Sequence, residues 1–202
     1  MKLTGDFYLR DDVVAISRDL LGKVLCTRIN GTLTTTVITE TEAYAGVTDK
    51  ASHAYRGRRT GRTEPMFADG GIAYVYLCYG IHHLFNVVTG AAGTPHAVLL
   101  RAGQPLSGMA TMLRRRDKAA VDRSLLAGPG CLARAMGITT GDTGANLTSA
   151  RIWIEDHGLD VDQSSVTVGP RIGVDYAGDD ASRPYRFRTA AGVPDSLNQY
   201  TS

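Results

Sequence analysis

Two glutamates and a tyrosine alternate along a stretch that is rich in β-branched residues. Successive side chains of a strand point to opposite faces, so Glu40, Glu42 and Tyr44 share one face. Carboxylates in such a position can take a proton from water or stabilise a positive charge. Taken alone, the segment favours a solvated face on an edge strand. The basic loop that follows favours chemistry instead, because it places the acids where they can meet a phosphodiester substrate.

Three tyrosines fall within six residues further along the chain. Tyr74 and Tyr76 lie on one face of a predicted strand, and we expect Tyr74 to take part in ordinary sheet packing. Tyr79 precedes Gly80, where two strands turn. An aromatic ring at a hairpin tip is hard to bury, and exposed rings can insert between stacked bases. Tyr79 is therefore predicted to contact a partner.

Candidate metal ligands are scattered along the chain. They are the histidines His53, His82 and His83 and the cysteines Cys26, Cys78 and Cys131. Neither HxH, HExxH nor CxxC spacing occurs, so we expect no metal and no disulfide framework. The cysteines are predicted to be buried, reduced thiols. No cofactor is expected, since no glycine-rich loop joins a strand to a helix.

Positive charge is concentrated in one part of the chain. The net charge is only +2, yet residues 50–118 contain ten Lys or Arg against three Asp or Glu. Eighteen arginines accompany four lysines, and planar guanidinium groups suit phosphate recognition. The pattern predicts a surface that faces a polyanion. Neither a secretory signal nor a membrane-spanning stretch is recognised, so a cytoplasmic protein is expected.

Short elements must position these residues. We predict helices over residues 11–21, capped by Asp11 or Asp12, and over 106–116 and 129–136. Strands are predicted over 23–29, 32–44, 72–79, 81–89, 97–101, 152–155, 166–174 and 185–188, with a tight turn at Asn30-Gly31. Residues 45–70 are predicted to form a long loop, and 175–183 a polar turn. The expected fold is α+β: a single domain over residues 1–202, with a curved, mostly antiparallel, hairpin-built sheet and a few peripheral helices.

One ordered set of motifs resembles the alkyladenine (3-methyladenine) DNA glycosylase family, in its short bacterial form. The set is Glu40-Thr41-Glu42-Ala43-Tyr44, His53, Met66-Phe67, Tyr74-Val75-Tyr76, Tyr79-Gly80, Asn86, Val98-Leu99-Leu100-Arg101, Gly128-Pro129, Arg171-Ile172-Gly173-Val174, Ala177-Gly178 and Arg183-Pro184-Tyr185-Arg186-Phe187. Each motif is weak by itself. Their order and spacing over nearly the whole chain make the resemblance specific.

The resemblance implies an enzyme of base-excision repair that acts on double-stranded DNA containing damaged purines. Glu42 would be the base that activates water, and Arg101 would help to hold the glutamate and the water. The flipped base would lie in a pocket formed by Tyr44, His53 and Tyr76, with Asn86 restricting access by guanine. Tyr79 would intercalate. The predicted contacts to the DNA backbone are Arg56, Arg58, Arg59, Arg62 and Met66.

Four interpretations stay open on the sequence alone. The first is a monofunctional glycosylase, expected to be a nucleoid-associated monomer, which removes 3-methyladenine, 7-methylguanine, hypoxanthine or ethenoadenine. The second is a nucleic-acid-binding module of the same fold without catalysis. The third is a metal-dependent hydrolase that uses the histidines and Glu40. The fourth is a carbohydrate glycosidase with Glu40 and Glu42 as its acid pair, which the basic loop disfavours.

Overall fold

The computed structural model describes residues 1–159 and 161–189, in which two short helices precede five strands, and two further helices precede the last three strands. The strands are β1 (Val24–Ile29), β2 (Thr32–Tyr44), β3 (Ala73–Cys78), β4 (His82–Thr89), β5 (His96–Ser107), β6 (Ile152–Glu155), β7 (Thr167–Gly169) and β8 (Arg186–Arg188). The α-helices are α1 (Gly5–Tyr8), α2 (Val13–Asp19), α3 (Met109–Arg116) and α4 (Pro129–Met136). The predicted domain also included residues 160 and 190–202, which lie outside the described residues.

Every strand pair in the sheet is antiparallel, and the strands follow the order β3-β4-β5-β2-β1-β6. Strand β2 is paired along both edges. On one edge it pairs with β5; on the other it pairs first with β1 and then, over Glu40–Glu42, with β8. The sheet curls into part of a barrel. The α+β prediction is confirmed, but the acids do not lie on an edge strand.

Alternation of side chains divides the two faces of the sheet. Ala43, Val75 and Val98 point towards the main core, where they pack with Ile16 of α2 and Leu132 of α4. The neighbouring residues Glu42, Tyr74, Tyr76 and Leu99 point the other way. This second face carries the candidate site, so the main core and the site share strands and use opposite faces.

Turn residues explain where several elements begin and end. Asn30 and Gly31 have φ values of +52° and +76°, which fits the predicted tight turn between β1 and β2. The Asp12 carboxylate accepts the backbone N–H groups of Val14 and Ala15 at 2.9 Å, so it caps α2 as predicted. Gly137 ends α4 with a φ of +75°.

Several predicted boundaries are wrong. The strand predicted over residues 97–101 continues to Ser107 as part of β5, because its pairing with β2 continues that far. The helix predicted over residues 106–116 begins only at Met109, because Ser107 still pairs with Thr35 and Gly108 reverses the chain with a φ of +77°. The strand predicted over residues 166–174 is reduced to β7, because its pairing with β8 ends where Gly169 meets Arg186. Residues 175–183, predicted as a turn, form the 3₁₀ segment Asp175–Ser182.

The predicted loop over residues 45–70 contains three 3₁₀ turns: Gly46–Thr48, Tyr55–Gly57 and Glu64–Phe67. This loop and residues 170–176 lie over the second sheet face and contact each other, for example through the hydrogen bond from the Tyr176 hydroxyl to the carbonyl of Ala51 at 3.0 Å. Among the described residues, no helix is long and apolar enough to cross a membrane.

Candidate active site

A carboxylate lies at the bottom of the second sheet face, closed off from solvent. Glu42 is 0 % exposed, and three donors surround it. The Ile172 N–H donates to Oε1 at 2.9 Å, the Tyr44 hydroxyl donates to Oε2 at 2.8 Å, and an Arg101 nitrogen lies 3.3 Å from Oε1. Since a carboxylate offers about four lone-pair positions, one remains open on Oε2.

Burial sets the proton affinity of this carboxylate. Desolvation raises the pKa of Glu42, and the Arg101 charge, the Ile172 N–H and the Tyr44 hydroxyl only partly offset that rise. A carboxylate with a raised pKa is a stronger base than an exposed one. The geometry therefore suits Glu42 to taking a proton from water near neutral pH.

Glu40, the other acid of the motif, has different hydrogen-bond partners. Glu40 Oε1 accepts from Nε of Arg101 at 2.9 Å and from Nε of Arg186 at 2.6 Å. Arg101 consequently bridges the two acids, and Glu40 is compensated by two cations. Two guanidinium groups thus occupy Oε1 of Glu40, whereas one lone pair of Glu42 stays open, which separates the roles of the two carboxylates.

An open cavity of about 380 Å³ lies above Glu42. Glu42 does not line this cavity, but its three donors Tyr44, Arg101 and Ile172 do. The structure also brings His53, Tyr76 and Asn86 to the cavity wall, so all four residues predicted for the base pocket lie together. Two of the rings meet edge to face, with the centroids of His53 and Tyr76 4.6 Å apart.

His53 is neutral at physiological pH, because burial and, to a smaller extent, the charges of Arg62 and Arg58 lower its pKa to about 4. Its Nδ1 lies 2.9 Å from the hydroxyl of Tyr74. The Arg62 guanidinium acts on the same hydroxyl oxygen, which favours an orientation with the Tyr74 proton towards His53. We therefore assign the proton of His53 to Nε2, which leaves an N–H donor for a ligand.

Asn86 is fixed from the strand side. Its Nδ2 donates to the carbonyl oxygens of Tyr74 at 3.1 Å and Leu84 at 3.3 Å. Two bonds to backbone on the same side define the orientation of the carboxamide. A residue held in this way can act as a steric limit on what enters the cavity.

Tyr79 stands at the tip of the β3–β4 hairpin, at the mouth of the cavity. It is 90 % exposed, and both it and Gly80 have positive φ values, +50° and +72°. The expected exposure of this ring is therefore observed. Sequence reasoning missed its neighbour Ile81, which is 71 % exposed and enlarges the apolar tip.

Four of the five predicted contacts to the DNA backbone lie on the surface of the basic loop. Arg56, Arg58, Arg59 and Arg62 are all exposed, and Arg59 forms a two-pronged pair with Glu64 at 2.6 and 2.8 Å. Met66 is placed differently from the four arginines: its side chain is 2 % exposed in the cavity wall and its backbone N–H donates to the carbonyl of Thr63. A contact from Met66 to the DNA backbone stays a prediction.

The expectation of buried thiols holds for Cys26 only. Cys78 and Cys131 are partly exposed and line the cavity. In the part of the chain that the structure describes, no three His, Cys, Asp or Glu side chains converge as metal ligands would. His83 instead accepts the backbone N–H of Thr140 at 3.1 Å.

Comparison with known proteins shows the family to which the chain belongs. Residues 6–192 match the family described as methylpurine-DNA glycosylase (MPG). The chain is 45 % identical over 186 residues to a protein of Chlamydia felis, covering 92 % of this chain and 94 % of that protein. It is 42 % identical over 195 residues to one of Bacillus cereus (strain AH820), covering 93 % and 95 % respectively. Both relatives carry the name "Putative 3-methyladenine DNA glycosylase".

These matches define the class of the enzyme as a DNA glycosylase, which hydrolyses the N-glycosidic bond between a base and its sugar and has DNA as its partner. Within that class, the chain belongs to the methylpurine-DNA glycosylase family.

Proposed function

We propose that this glycosylase flips alkylated or deaminated purines out of double-stranded DNA and hydrolyses their glycosidic bond with a water that Glu42 activates. The candidate substrates are 3-methyladenine, 7-methylguanine, hypoxanthine and ethenoadenine. The product is an abasic site. The observation that carries the proposal is the buried Glu42 carboxylate, which three donors hold beneath an aromatic cavity with one lone pair left open.

Base flipping is required because the bond from C1′ to the base nitrogen is inaccessible within a duplex. Extruding a nucleotide costs a few kcal/mol, and a damaged or mispaired base costs least. The cavity above Glu42 is large enough for a purine. In the proposed complex, Tyr44, His53 and Tyr76 surround the flipped base, since stacking on rings tolerates many base identities.

In this proposal, Tyr79 is the side chain that inserts into the DNA stack. Its ring is exposed on a two-residue turn with positive φ values, beside the cavity mouth, and so can enter the space that the flipped base leaves in the stack. The exposed guanidinium groups of Arg56, Arg58, Arg59 and Arg62 supply contacts to the phosphates on the same side. Binding through these groups is independent of base sequence.

Hydrolysis passes through a sugar with oxocarbenium character. Water attacks C1′, the bond to the base breaks, and the water proton moves to Glu42. The negative carboxylate also stabilises the developing positive charge, while Arg101 and the Ile172 N–H keep it in one orientation. General-base action of this kind contributes about 10²–10⁴-fold.

The leaving base determines how much further help is needed. A 3-methyladenine or 7-methylguanine is already cationic in DNA and departs neutral. Hypoxanthine and ethenoadenine are neutral and benefit from a hydrogen bond. With its pKa lowered to about 4, His53 is not an acid at neutral pH but can donate from neutral Nε2–H. Asn86 would exclude the exocyclic amine of guanine.

We further propose that the enzyme is monofunctional and leaves the abasic strand intact. Strand cleavage by a glycosylase requires an amine that forms a Schiff base. Among the described residues that line the cavity there is no lysine. Lys50, the lysine nearest in sequence to the catalytic segment, is exposed and does not line the cavity.

The other interpretations gain no support. A binding module does not explain a buried carboxylate and differs from the enzyme class that the family defines. A metal-dependent hydrolase would need histidines that converge, whereas His53 and His83 are bonded to different elements. A carbohydrate glycosidase would need Glu40 as an acid, yet two arginines compensate it. A monomeric state and a nucleoid-associated location stay predictions.

The decisive experiment compares wild type with Glu42→Gln on a panel of duplexes that each contain one candidate lesion. We expect the variant to lose base release and to keep its affinity for lesion DNA, because the amide is isosteric but cannot accept the water proton. Glu155→Gln, which changes a glutamate of the outer strand β6 that does not line the cavity, is the matched control. Release by Glu42→Gln at the wild-type rate would contradict the assignment of Glu42.

A further inference from the structure

A second ion pair is buried beside the proposed catalytic carboxylate, and nothing in the chemistry described so far uses it. The side chains of Arg171 and Asp49 are both fully buried and face each other with two prongs, Nη2 donating to Oδ1 at 2.9 Å and Nη1 to Oδ2. Arg171 follows β7 and Asp49 follows β2, so the pair joins segments 122 residues apart.

The same guanidinium group connects two more backbone segments. Its Nη1 donates to the carbonyl of Ala43 at 2.8 Å and its Nη2 to the carbonyl of Asp180 at 3.0 Å. Ala43 lies between Glu42 and Tyr44 on β2. The guanidinium also covers the ring of Tyr44 at 4.8 Å from its centroid. Arg171 thus ties the strand that carries the carboxylate to the two loops above it.

The Asp49 carboxylate also binds backbone groups in addition to Arg171. Its two oxygens accept the backbone N–H groups of Ala45 and Ala51, each at 3.0 Å. These bonds set the path of the loop between Tyr44 and His53, both of which line the cavity. We refer to Arg171, Asp49 and their four backbone contacts as the clamp.

Stability alone is a weak reason for the clamp. Removing two charges from water is expensive, and packed apolar residues often replace buried ion pairs without loss. Here the Nε of Arg171 is buried and has no partner among the described residues, which adds to the cost. A buried ion pair that costs free energy has a clearer role where its directional hydrogen bonds hold backbone groups in positions that apolar contacts do not specify.

The clamp fixes the position of the backbone of Ile172, the residue that follows Arg171. The N–H of Ile172, directly after Arg171, is the donor to Glu42 Oε1 at 2.9 Å. Loss of this donor would leave a second lone pair of the carboxylate open and allow the water to bind in more than one place.

We propose that the Arg171–Asp49 clamp is a positioning device for the proposed reaction: it fixes the Ile172 N–H against Glu42, so that the carboxylate presents one lone pair to the attacking water. Arg171 acts through Ile172 and Tyr44, so it is a positioning residue. The inference rests on the proposed role of Glu42.

A measurement of the pKa of Glu42 distinguishes an effect of the clamp on the Ile172 N–H from a direct effect of the charges of Arg171 and Asp49. The charged and titratable groups that face Glu42 are Glu40 and Tyr44 on β2, Arg101 on β5, Tyr76 on β3, Arg186 on β8, and Arg171 and Tyr176 from the loops above. The Ile172 N–H lowers the pKa of Glu42. Releasing it must therefore raise that pKa.

Two variants distinguish loss of the clamp geometry from a simple change of charge. Arg171→Lys keeps the positive charge but cannot serve Asp49, Ala43 and Asp180 together, because an ammonium group lacks the planar fork. Asp49→Asn removes a negative charge, which by charge alone would lower the pKa of Glu42. The clamp predicts a rise in both variants. The matched controls Arg10→Lys and Asp19→Asn alter an exposed ion pair with an N–O distance of 2.8 Å.

The carboxyl resonance of Glu42 is followed by ¹³C NMR as a function of pH in wild type, both variants and both controls. Single-turnover base release is measured in parallel, at temperatures below each unfolding midpoint. We expect a raised Glu42 pKa and a fall in rate of roughly 10- to 100-fold in both variants, with the controls at wild-type values. If Arg171→Lys does not fold, Asp49→Asn decides the sign alone.

Failure of the inference and failure of the proposed function give different results. An unchanged or lowered Glu42 pKa in a folded Asp49→Asn protein overturns the clamp, whatever the activity, since the NMR titration needs no substrate. Wild type that releases no base from any lesion duplex contradicts the proposed function. Activity in wild type with an equal rate in both folded variants overturns the clamp and leaves the proposed function standing.

Discussion

Removing one buried hydroxyl group tests how the base leaves. Tyr74→Phe keeps the ring but deletes the O–H that donates to His53 Nδ1 at 2.9 Å. His53 can then carry its proton on Nδ1, and Nε2 ceases to be a donor. A neutral hydrogen bond contributes about 0.5–1.5 kcal/mol, and about 1.4 kcal/mol corresponds to tenfold. We therefore expect hypoxanthine release to slow about two- to tenfold.

Release of 7-methylguanine provides the internal comparison, because this base is cationic in DNA and needs no donated hydrogen bond. Single-turnover rates on two duplexes that differ only in the lesion are measured from alkali-sensitive abasic sites. Tyr55→Phe, in the same loop as His53, controls for the loss of a tyrosine hydroxyl. Equal slowing on both lesions, or no slowing on hypoxanthine, would refute the assignment of Nε2–H as the donor.

Three further predictions concern binding and pH. Tyr79→Ala should weaken binding to lesion duplex by roughly 5- to 150-fold in fluorescence anisotropy while leaving the melting temperature unchanged, since the ring is exposed and base–aromatic stacking contributes about 1–3 kcal/mol. Arg58→Ala should reduce the slope of log affinity against log salt by about one, and Arg59→Ala by less, because Glu64 already compensates Arg59. Burial lowers the pKa of His53 to about 4, so the folded protein resists its protonation and stability should decline as the pH falls from about 6.5 towards 4. A His53→Asn protein whose melting temperature declines as steeply over that interval would contradict this.

Which side chains share a face of a strand could be predicted, because this depends only on the alternation of neighbouring residues. A period of two along β2 and β3 suffices to place Glu42 with Tyr44, and Tyr74 with Tyr76, away from the main core. The turns at Asn30 and Tyr79 were predictable for the same reason, since each depends on adjacent residues. The resemblance then selected Glu42 over Glu40, a choice that alternation alone leaves open.

Long-range partners were not predictable from local pattern. The pairing of β8 with β2 joins Arg186 to Glu40 across 146 residues, and the clamp joins Arg171 to Asp49 across 122. Each arginine is one of eighteen, with no neighbouring residue to mark it as buried. The burial of Met66 was not foreseen for a related reason, because the sequence of a basic loop does not show which side chains turn inward.

The end of β5 was missed for a physical reason. Gly103 and Pro105 interrupt the apolar pattern, and register shifts in the pairing with β2 accommodate them. Pairing of Ser107 with Thr35 then continues the strand to a point where sequence propensity favours the helix. The partner strand determines the boundary here, which explains why the helix begins three residues later than expected.

Pairing of β2 along both edges has a consequence for motion in this enzyme. The amide groups around Glu42 lie between β5 and β8, in the interior of the hydrogen-bonded ladder. In native-state hydrogen exchange such amides open only with the cooperative unit to which they belong, whereas loops exchange through small local fluctuations. We therefore expect the amides that flank the Glu42 carboxylate to exchange more slowly than those of the hairpin tip and the loops, so the base of the site is its most rigid part.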